Sequence, residues 1–552
     1  MLRPLALALI LSGVAAGAQA QNLQIHGGPI YTGVEAAPRA ELVQVRDGRI
    51  VFTGRAAEAP DATGLTDIDL AGATLFPGFT DGHAHLDGIG AREMELNLEG
   101  SASVDEAMAR LKAWAEAHPE GPILGRGWIE TRWPEARFLT RQDVDAAAPG
   151  RLVALWRADG HATVISSSVL AAAGIDASTV APSGGEILKD SAGQPTGLLV
   201  DAAMDLLGGF WSQIGDNPVS ARDRYRAGFA VYARYGWTGI HFMSAPWDDV
   251  PLLEEMAEAG EAPIRVYNSI SPEGAAALIA SGPRSVADGR VITRAIKYYA
   301  DGALGSRGAA LFEPYADSPG STGLMQTTAA EVVPLFEAAL RGGIQVATHA
   351  IGDRGNHEVT DWYATAMHAV PHSQWGVADP RWRIEHAQIL RPSDYAAFRD
   401  LPIIASMQPS HAIGDFHFAG ARLGDARLDG AYAWKSLVDM GVIVVGGSDA
   451  PVERGDPLIE FYAAVARRDL DGFQGPDWRP QEAVSRETAL KMFTLWPAYA
   501  SFREAELGTI EVGKRADFTA FDIDLMTVPA AEIPHGHAML TVVDGVVVWS
   551  RD

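Results

Sequence analysis

The chain has 552 residues, with 70 acidic and 44 basic side chains and a formal net charge of −26 at pH 7. This charge disfavours nucleic acid and an anionic membrane surface as partners, because both would repel the protein. The chain contains no cysteine, which excludes disulfides, thiol catalysis and thiolate metal ligands, while 47% hydrophobic residues suffice for a large buried core.

The first twenty residues are predicted to form a cleaved signal peptide. Arg3 precedes an apolar run at 5–11, and Ala18-Gln19-Ala20 supplies small residues at the positions that a signal peptidase reads. An uncleaved anchor is the alternative, but this run is shorter than the ~20 residues that span a bilayer. We therefore predict residues 1–20 to be a signal and the protein to be exported to a bacterial periplasm.

Both ends of the mature chain are predicted to contain short strands. Near the beginning, the runs 41–45 and 49–52 flank a turn at Arg46-Asp47-Gly48. The runs 508–518 and 540–549 have the same alternation of apolar and polar residues near the end. Such runs, separated by turn residues, are typical of β-hairpins.

A His-x-His motif follows a predicted turn and ends a predicted strand. Phe79-Thr80-Asp81-Gly82-His83-Ala84-His85-Leu86 comes after the apolar residues 73–76 and the Pro77-Gly78 turn. In a strand, alternate side chains share a face, so His83 and His85 lie about 7 Å apart along the chain and both can reach one ion. A His-x-His pair alone is weak evidence, because surface or hydrogen-bonded histidines are the alternative.

Four later apolar runs of the kind typical of buried parallel strands carry further candidate residues. They are the runs 295–299 with Lys297, 343–349 ending on His349, 382–386 ending on His386, and 442–449 ending on Asp449. Catalytic groups at the carboxyl ends of successive parallel strands are typical of a (β/α)8 barrel, because the loops on that face build the site.

The order His-x-His, Lys, His, His, Asp resembles the amidohydrolase superfamily of metal-dependent hydrolases. The segments 77–85, 297–307, 348–353 and 447–452 are most similar to its amidohydrolase 3 branch, of the YtcJ-like type, which includes deformylases of N-substituted formamides. The resemblance implies an α/β fold with a (β/α)8 TIM-like barrel. Its implied parts are a barrel at 77–495 with an insertion at about 98–225 after the first barrel strand, and a small β-sandwich built from 21–76 and 496–552.

The resemblance also implies a metal centre. Its ligands would be His83, His85, Lys297, His349, His386 and Asp449. His83 and His85 would hold the more buried metal with Asp449, and the remaining two histidines the second metal. Imidazole and carboxylate suit Zn²⁺ or a similar divalent ion, and two Zn²⁺ per chain are expected, with one as the alternative.

Lys297 and Asp449 have special roles in this interpretation. An ammonium group repels cations, so the resemblance implies that Lys297 is carboxylated and bridges the two metals. The alternative is an unmodified Lys297 paired with Asp301. Asp449 is expected to be the general base, which takes a proton during the attack and gives it to the leaving group.

Further polar and aromatic residues are candidate substrate contacts, and a structural role is the alternative for each. They are Trp128, His161, His241, Arg307 and His411. The first two fall in the predicted insertion, whose Trp, Arg and His residues suggest a lining that covers the pocket. The others follow apparent strands.

The predicted function is hydrolysis of a C–N amide bond, of N-acyl or N-formyl type, in a small-molecule substrate by attack of a metal-bound hydroxide. One alternative is a hydrolase of cyclic amides, carbamates, esters or lactones, which would use the same residues. The other is a non-catalytic, metal-dependent binding protein, which the presence of a base at Asp449 disfavours. The sequence predicts neither the substrate nor the oligomeric state.

Overall fold

The computed structural model describes residues 21–182, 184–208, 211, 219–401, 403–475 and 478–551. The predicted signal peptide, residues 1–20, lies outside this part of the chain. In the described residues the strands are, in chain order, β1 Leu23–Tyr31, β2 Arg39–Arg46, β3 Arg49–Gly54, β4 Thr66–Asp69, β5 Thr74–Pro77, β6 Phe79–Ala84, β7 Leu96–Asn97, β8 Ile123–Trp128, β9 Val153–Arg157, β10 Ala162–Ile165, β11 Gly185–Lys189, β12 Pro195–Asp201, β13 Trp237–Ala245, β14 Arg265–Ile270, β15 Arg284–Val286, β16 Val291–Tyr299, β17 Gln345–Ala350, β18 Trp382–His386, β19 Ile403–Met407, β20 Val444–Gly446, β21 Phe518–Phe521, β22 Ala538–Val543 and β23 Val546–Ser550.

The α-helices are also numbered in chain order. They are α1 Leu86–Met94, α2 Val104–Ala117, α3 Arg141–Ala147, α4 Ser167–Ala173, α5 Ala221–Tyr235, α6 Val250–Glu258, α7 Ala275–Ser281, α8 Ala329–Gly342, α9 Asp353–Ala369, α10 Tyr395–Asp400, α11 Pro409–Leu423, α12 Trp434–Asp439, α13 Pro457–Ala466, α14 Arg486–Phe493 and α15 Leu495–Ala500. Among the described helices, none has both the length and the apolarity of a membrane span.

Eight parallel strands form the central sheet, in the order β6-β13-β14-β16-β17-β18-β19-β20. β13 shows why these segments form such a sheet: its sequence WTGIHFMSA is buried at almost every position, as expected for a parallel strand covered on both faces. The two edges approach where the Asp449 N–H donates to the His83 carbonyl at 2.7 Å. The sheet is thus a nearly closed barrel, and the predicted fold class is confirmed.

The two chain ends join in one sheet beside the barrel. Its order is β23-β22-β21-β5-β1-β2-β3, with β4 on the other side of β1. The join is the antiparallel pairing of β5 with β21, in which Phe76 lies opposite Thr519. Apolar residues from both ends, including Ile25, Leu75 and Phe518, pack in one core. The sheet contains none of the predicted ligands, although β5 leads directly into β6, which carries His83.

A third sheet lies in the chain between β6 and β13. Its order is β11-β12-β10-β9-β8-β7, and it has apolar cores of its own that include Leu155, Val164 and Leu199. β7 lies just before the predicted substrate-facing insertion at about 98–225, and the other five strands of this sheet lie within it. α5 then returns to the barrel and packs closely on α1, where a Cβ at Gly90 would lie 1.8 Å from the Arg224 carbonyl oxygen.

Candidate active site

Three predicted ligands meet at the carboxyl end of the barrel. His83 is near the end of β6, His386 is the last residue of β18, and Asp449 lies shortly after β20. One possible ligand atom from each of the three lies within 4.8 Å of the others, and all three residues are buried. His386 and Asp449 both have positive φ, 71° and 59°, an unfavourable backbone conformation that is typical of functional sites.

The Asp449 carboxylate is surrounded by imidazoles. Its Oδ1 lies 3.0 Å from His85 Nε2 and 3.3 Å from His83 Nε2, and its Oδ2 lies 3.1 Å from His411 Nε2. Burial alone would raise the pKa of Asp449, but the neighbouring His83 and the hydrogen bonds from His411 and His85 outweigh burial and hold the pKa well below its usual value. Asp449 is therefore an ionised carboxylate, the form that binds a cation.

The histidines around Asp449 are held through their other ring nitrogen. His83 Nδ1 lies 2.6 Å from Glu385 Oε2, and His85 Nδ1 lies 3.1 Å from the Met243 carbonyl oxygen. An acceptor at Nδ1 fixes the proton there and leaves Nε2 as a potential ligand atom, which is how metal-binding histidines are usually oriented. Among the described residues, His83 Nε2 is buried without a hydrogen-bond partner. These donors fit a divalent metal.

His386 connects this cluster to His349. Its ring centroid lies 4.8 Å from that of His83 and 4.5 Å from that of His349, so His386 stands between them. The family resemblance implies that His386 holds a second metal with His349. In the structure, a possible ligand atom of His386 also lies within 4.8 Å of those of His83 and Asp449. Burial is the main reason why the pKa values of His349 and His386 lie well below the usual value. A low pKa favours the neutral imidazole, which is the form that binds metals.

Lys297 is buried in β16, near the same end of the barrel. Its Nζ lies 4.5 Å from the centroid of the Tyr299 ring. Within the described residues no ion pair joins it to Asp301, whose carboxylate instead accepts the backbone N–H groups of Ile351 and Gly352 and that of Ala310. The charge of Lys297 lowers the pKa of the nearby His349 further. In the described residues, Lys297 forms no ion pair with a carboxylate.

A cavity of roughly 320 Å³ opens onto the cluster. Its wall includes His349, His386 and Asp449 from the barrel. The third sheet contributes Arg157, the last residue of β9, and Ile129, which follows β8. This volume is in the range of small-molecule sites. A small substrate in the cavity would therefore contact both the candidate metal ligands and the inserted sheet.

His161 and His411, two of the predicted substrate contacts, line this cavity. His411 Nδ1 lies 3.0 Å from Glu453 Oε1, while its Nε2 contacts Asp449. Burial would lower the pKa of His411, but the two carboxylates outweigh burial and raise the pKa well above its usual value. His411 is therefore a cationic group next to the candidate metal centre.

His161 forms a pair with Asp201. Its Nδ1 lies 2.6 Å from Asp201 Oδ1, and its ring centroid lies 5.2 Å from that of His349. The Asp201 carboxylate can approach the barrel because Gly302 has no side chain: a Cβ there would lie 2.7 Å from Asp201 Oδ2. The third sheet thereby places an oriented imidazole on the cavity wall.

The other three predicted substrate contacts lie outside the cavity wall. Trp128 is fully buried at the end of β8, and its indole N–H donates to the Leu155 carbonyl at 2.8 Å. His241 is buried in β13, where its Nδ1 accepts a hydrogen bond from Arg383 at 2.7 Å. Arg307 forms an ion pair with Asp317 at 2.9 Å.

Several residues that support the site were not among the residues predicted from the sequence. Glu385 and Arg383 lie inside β18, where they form a fully buried ion pair at 2.7 Å beneath His83. Gln408 holds His386 Nδ1 at 2.9 Å, and Asp201 holds His161. A charged pair in an otherwise apolar strand is the one local sign that β18 carries more than core residues.

The comparisons with known proteins agree with one another. The amidohydrolase family model matches residues 67–549. YtcJ of Bacillus subtilis (strain 168), an amidohydrolase by name, is 33% identical over 95% of this chain and 99% of its own. The N-substituted formamide deformylase of Arthrobacter pascens is 29% identical over 93% of this chain and 95% of its own. An uncharacterised metal-dependent hydrolase from Pyrococcus furiosus, of known structure, is 27% identical over 91% of this chain and 99% of that chain, with a TM-score of 0.71.

Proposed function

Because the chain belongs to the amidohydrolase family, we propose that it is a metal-dependent hydrolase that cleaves the C–N bond of small N-acyl or N-formyl amides. The observation that carries this proposal is the cavity that opens onto Asp449 and His386, with His411 beside them. The similarity to a formamide deformylase supports an amide over an ester as the substrate class.

The cation would be held by His83, His386 and Asp449, with His85 next to them. We propose two Zn²⁺ per chain, and His349 and a carboxylated Lys297 would help to hold the second. Such metals polarise a carbonyl group and lower the pKa of water to about 7, so that a nucleophile exists at neutral pH.

The protein's own groups then move the proton and position the substrate. Asp449 accepts the proton of the attacking water and returns it to the leaving nitrogen as the C–N bond breaks. His411 keeps the carboxylate oriented through its 3.1 Å contact with Oδ2.

Hydrolysis assays on matched compounds test this function. The panel contains N-formyl and N-acetyl amides of the same amines, with the corresponding carbamates, esters and lactones. We expect cleavage of the amides, its loss on complete chelation and its return when Zn²⁺ is added back. Cleavage that survives removal of all metal would contradict the proposal, and a preference for lactones or carbamates would overturn the amide assignment.

The imidazole on the inserted sheet is expected to assist the reaction. We expect His161→Ala to lower kcat/KM by about 10²-fold, because the substrate would lose a polar group that Asp201 orients on the cavity wall. The metal content should stay at that of the wild type. His118→Ala, at an exposed histidine on the same inserted unit, is the control. A His161→Ala enzyme with unchanged kcat/KM would show that the pair is structural.

A further inference from the structure

Asp415 is a carboxylate on the cavity wall that receives hydrogen bonds from neutral groups. Gln388 Nε2 donates to its Oδ2 at 2.7 Å, and the Tyr432 hydroxyl donates to the same oxygen at 2.6 Å. Its other oxygen, Oδ1, accepts no hydrogen bond from a described residue. The side chain lines the cavity, so this oxygen is available to a ligand.

Other carboxylates of the cavity wall have basic partners. The pairs are Asp159 with Arg157, Glu453 with His411, and Asp469 with His417. In the part of the chain that the structure describes, no lysine or arginine forms an ion pair with Asp415. The Asp415 carboxylate could therefore pair with a cationic group of a ligand.

The electrostatics of Asp415 agree with this geometry. Burial raises its pKa to about 6, although the nearby charge of His411 lowers it. His411 is itself paired with Asp449 and Glu453, so among the described residues an ionised Asp415 has no basic partner of its own, and a bound cation would supply one. The negative charge of the whole chain, −26, would also concentrate cations near the cavity.

We propose that Asp415 determines substrate specificity by binding a positively charged amino group of the substrate. This inference rests on the proposed function, because it takes the reacting group of the same substrate to be an amide. Leu304, Ile413 and Phe418 also line the cavity and fit the aliphatic part of such a molecule.

The position of Asp415 on α11 limits the length of the substrate. It follows His411 by one helical turn, which separates their Cα atoms by roughly 6 Å on the same side of the helix. His411 in turn contacts Asp449, where the amide would react. The substrate class is therefore an N-acyl or N-formyl amide whose basic amino group is joined to the amide by a short aliphatic spacer.

A binding experiment on the metal-loaded protein tests this inference without turnover. The probes are three methanesulfonamides with the same short aliphatic chain, ending in an ammonium, a hydroxyl or a methyl group; the sulfonyl group replaces the hydrolysable carbonyl. Calorimetry gives each Kd. We expect the ammonium compound to bind the wild type at least tenfold more tightly than the methyl compound, because a hydrogen bond to a charged group is worth about 10- to 100-fold.

Asp415→Asn keeps the shape and the acceptor for Tyr432 but removes the charge. It is expected to remove most of the preference for the ammonium compound and to change the Kd of the methyl compound by less than twofold. Asp469→Asn removes the same charge from the same cavity wall, at a carboxylate already paired with His417, and should keep the preference. Thermal melting of each variant confirms that it is folded.

Equal affinities for the three compounds in the wild type would overturn the inference. An equal loss in Asp415→Asn and Asp469→Asn would also overturn it, because the effect would then come from the overall field of the cavity. Tightest binding of the hydroxyl compound would also overturn it, because Asp415 would then prefer a neutral hydrogen-bond donor to a charged amino group. Failure of the proposed function is separate: it would appear as absence of chelator-sensitive amide cleavage, whatever the order of the three affinities.

Discussion

Asp449→Asn is expected to lower kcat by at least about 10³-fold while the protein stays folded. Asn has nearly the same shape but cannot accept and return a proton, and general acid–base catalysis typically contributes about 10²- to 10⁴-fold. The substitution also removes the negative charge that lies 3.0 Å from His85 and 3.1 Å from His411. The measurement is steady-state hydrolysis of the best amide of the panel, with thermal melting of the same preparation.

Asp439→Asn is the matched control, because Asp439 is an exposed carboxylate on α12 paired only with Lys435 among the described residues. Its kcat should equal that of the wild type within a factor of two. An Asp449→Asn enzyme with a tenth or more of the wild-type kcat would refute the role of Asp449 as base. If that variant bound substrate analogues with unchanged Kd, the loss would be located in the chemical step.

Arg383→Met is expected to reduce the free energy of unfolding by about 3–5 kcal/mol, the usual cost of leaving a buried charge unpaired. The Arg383 guanidinium is fully buried and donates to Glu385 Oε1 at 2.7 Å, to Ser406 Oγ at 2.8 Å and to the Gly82 carbonyl at 2.6 Å. Without it, the one hydrogen bond that Glu385 keeps within the described part of the chain is that with His83. Urea unfolding of the metal-free protein measures this loss.

Metal affinity should fall in the same variant by about 10- to 100-fold, because Glu385 orients His83 and is itself oriented by Arg383. Arg399→Met, at an exposed arginine paired with Asp400, should change stability by less than about 0.5 kcal/mol. Adding Glu385→Gln to Arg383→Met removes the unpaired charge, so part of the stability should return but not the metal affinity. A loss of stability below 1 kcal/mol in Arg383→Met would contradict the account of this pair.

Most of the predicted ligands stand out in the sequence because they lie at the end of an apolar run, whereas Lys297 lies inside β16. His83, His349 and His386 lie in the last two residues of β6, β17 and β18, and Asp449 follows β20. In a parallel barrel the carboxyl ends of all strands meet on one face, so residues far apart in the chain come together without any knowledge of distances. Order and spacing along the chain therefore predict that these residues meet, and the resemblance to the amidohydrolases supplies their expected role as ligands.

The supporting residues depend on contacts that such patterns do not contain. Asp415 follows His411 by four residues on a helix, but only the tertiary structure shows that this face of α11 lines the cavity. Asp201 reaches His161 across the third sheet, through the antiparallel pairing of β10 and β12. Long-range pairings of this kind decide which polar residues face a cavity.

Trp128 illustrates the opposite case. The sequence places it in a loop region rich in Trp, Arg and His, which suggested a substrate contact. In the structure its ring is buried within β8 against Trp133 and Phe138, and its indole N–H is already bonded to the backbone. Large aromatic residues fill cores as readily as they line pockets, and composition alone does not distinguish the two.

The central claim is that the cluster around Asp449 holds the divalent metal on which hydrolysis depends. The most direct test is the metal content of the purified protein and of His386→Ala, by plasma mass spectrometry, together with amide hydrolysis by both. We expect two divalent ions per chain in the wild type, at least one fewer in His386→Ala, and no hydrolysis by that variant. A wild-type protein that contains no divalent ion and still hydrolyses amides after chelation would contradict the claim.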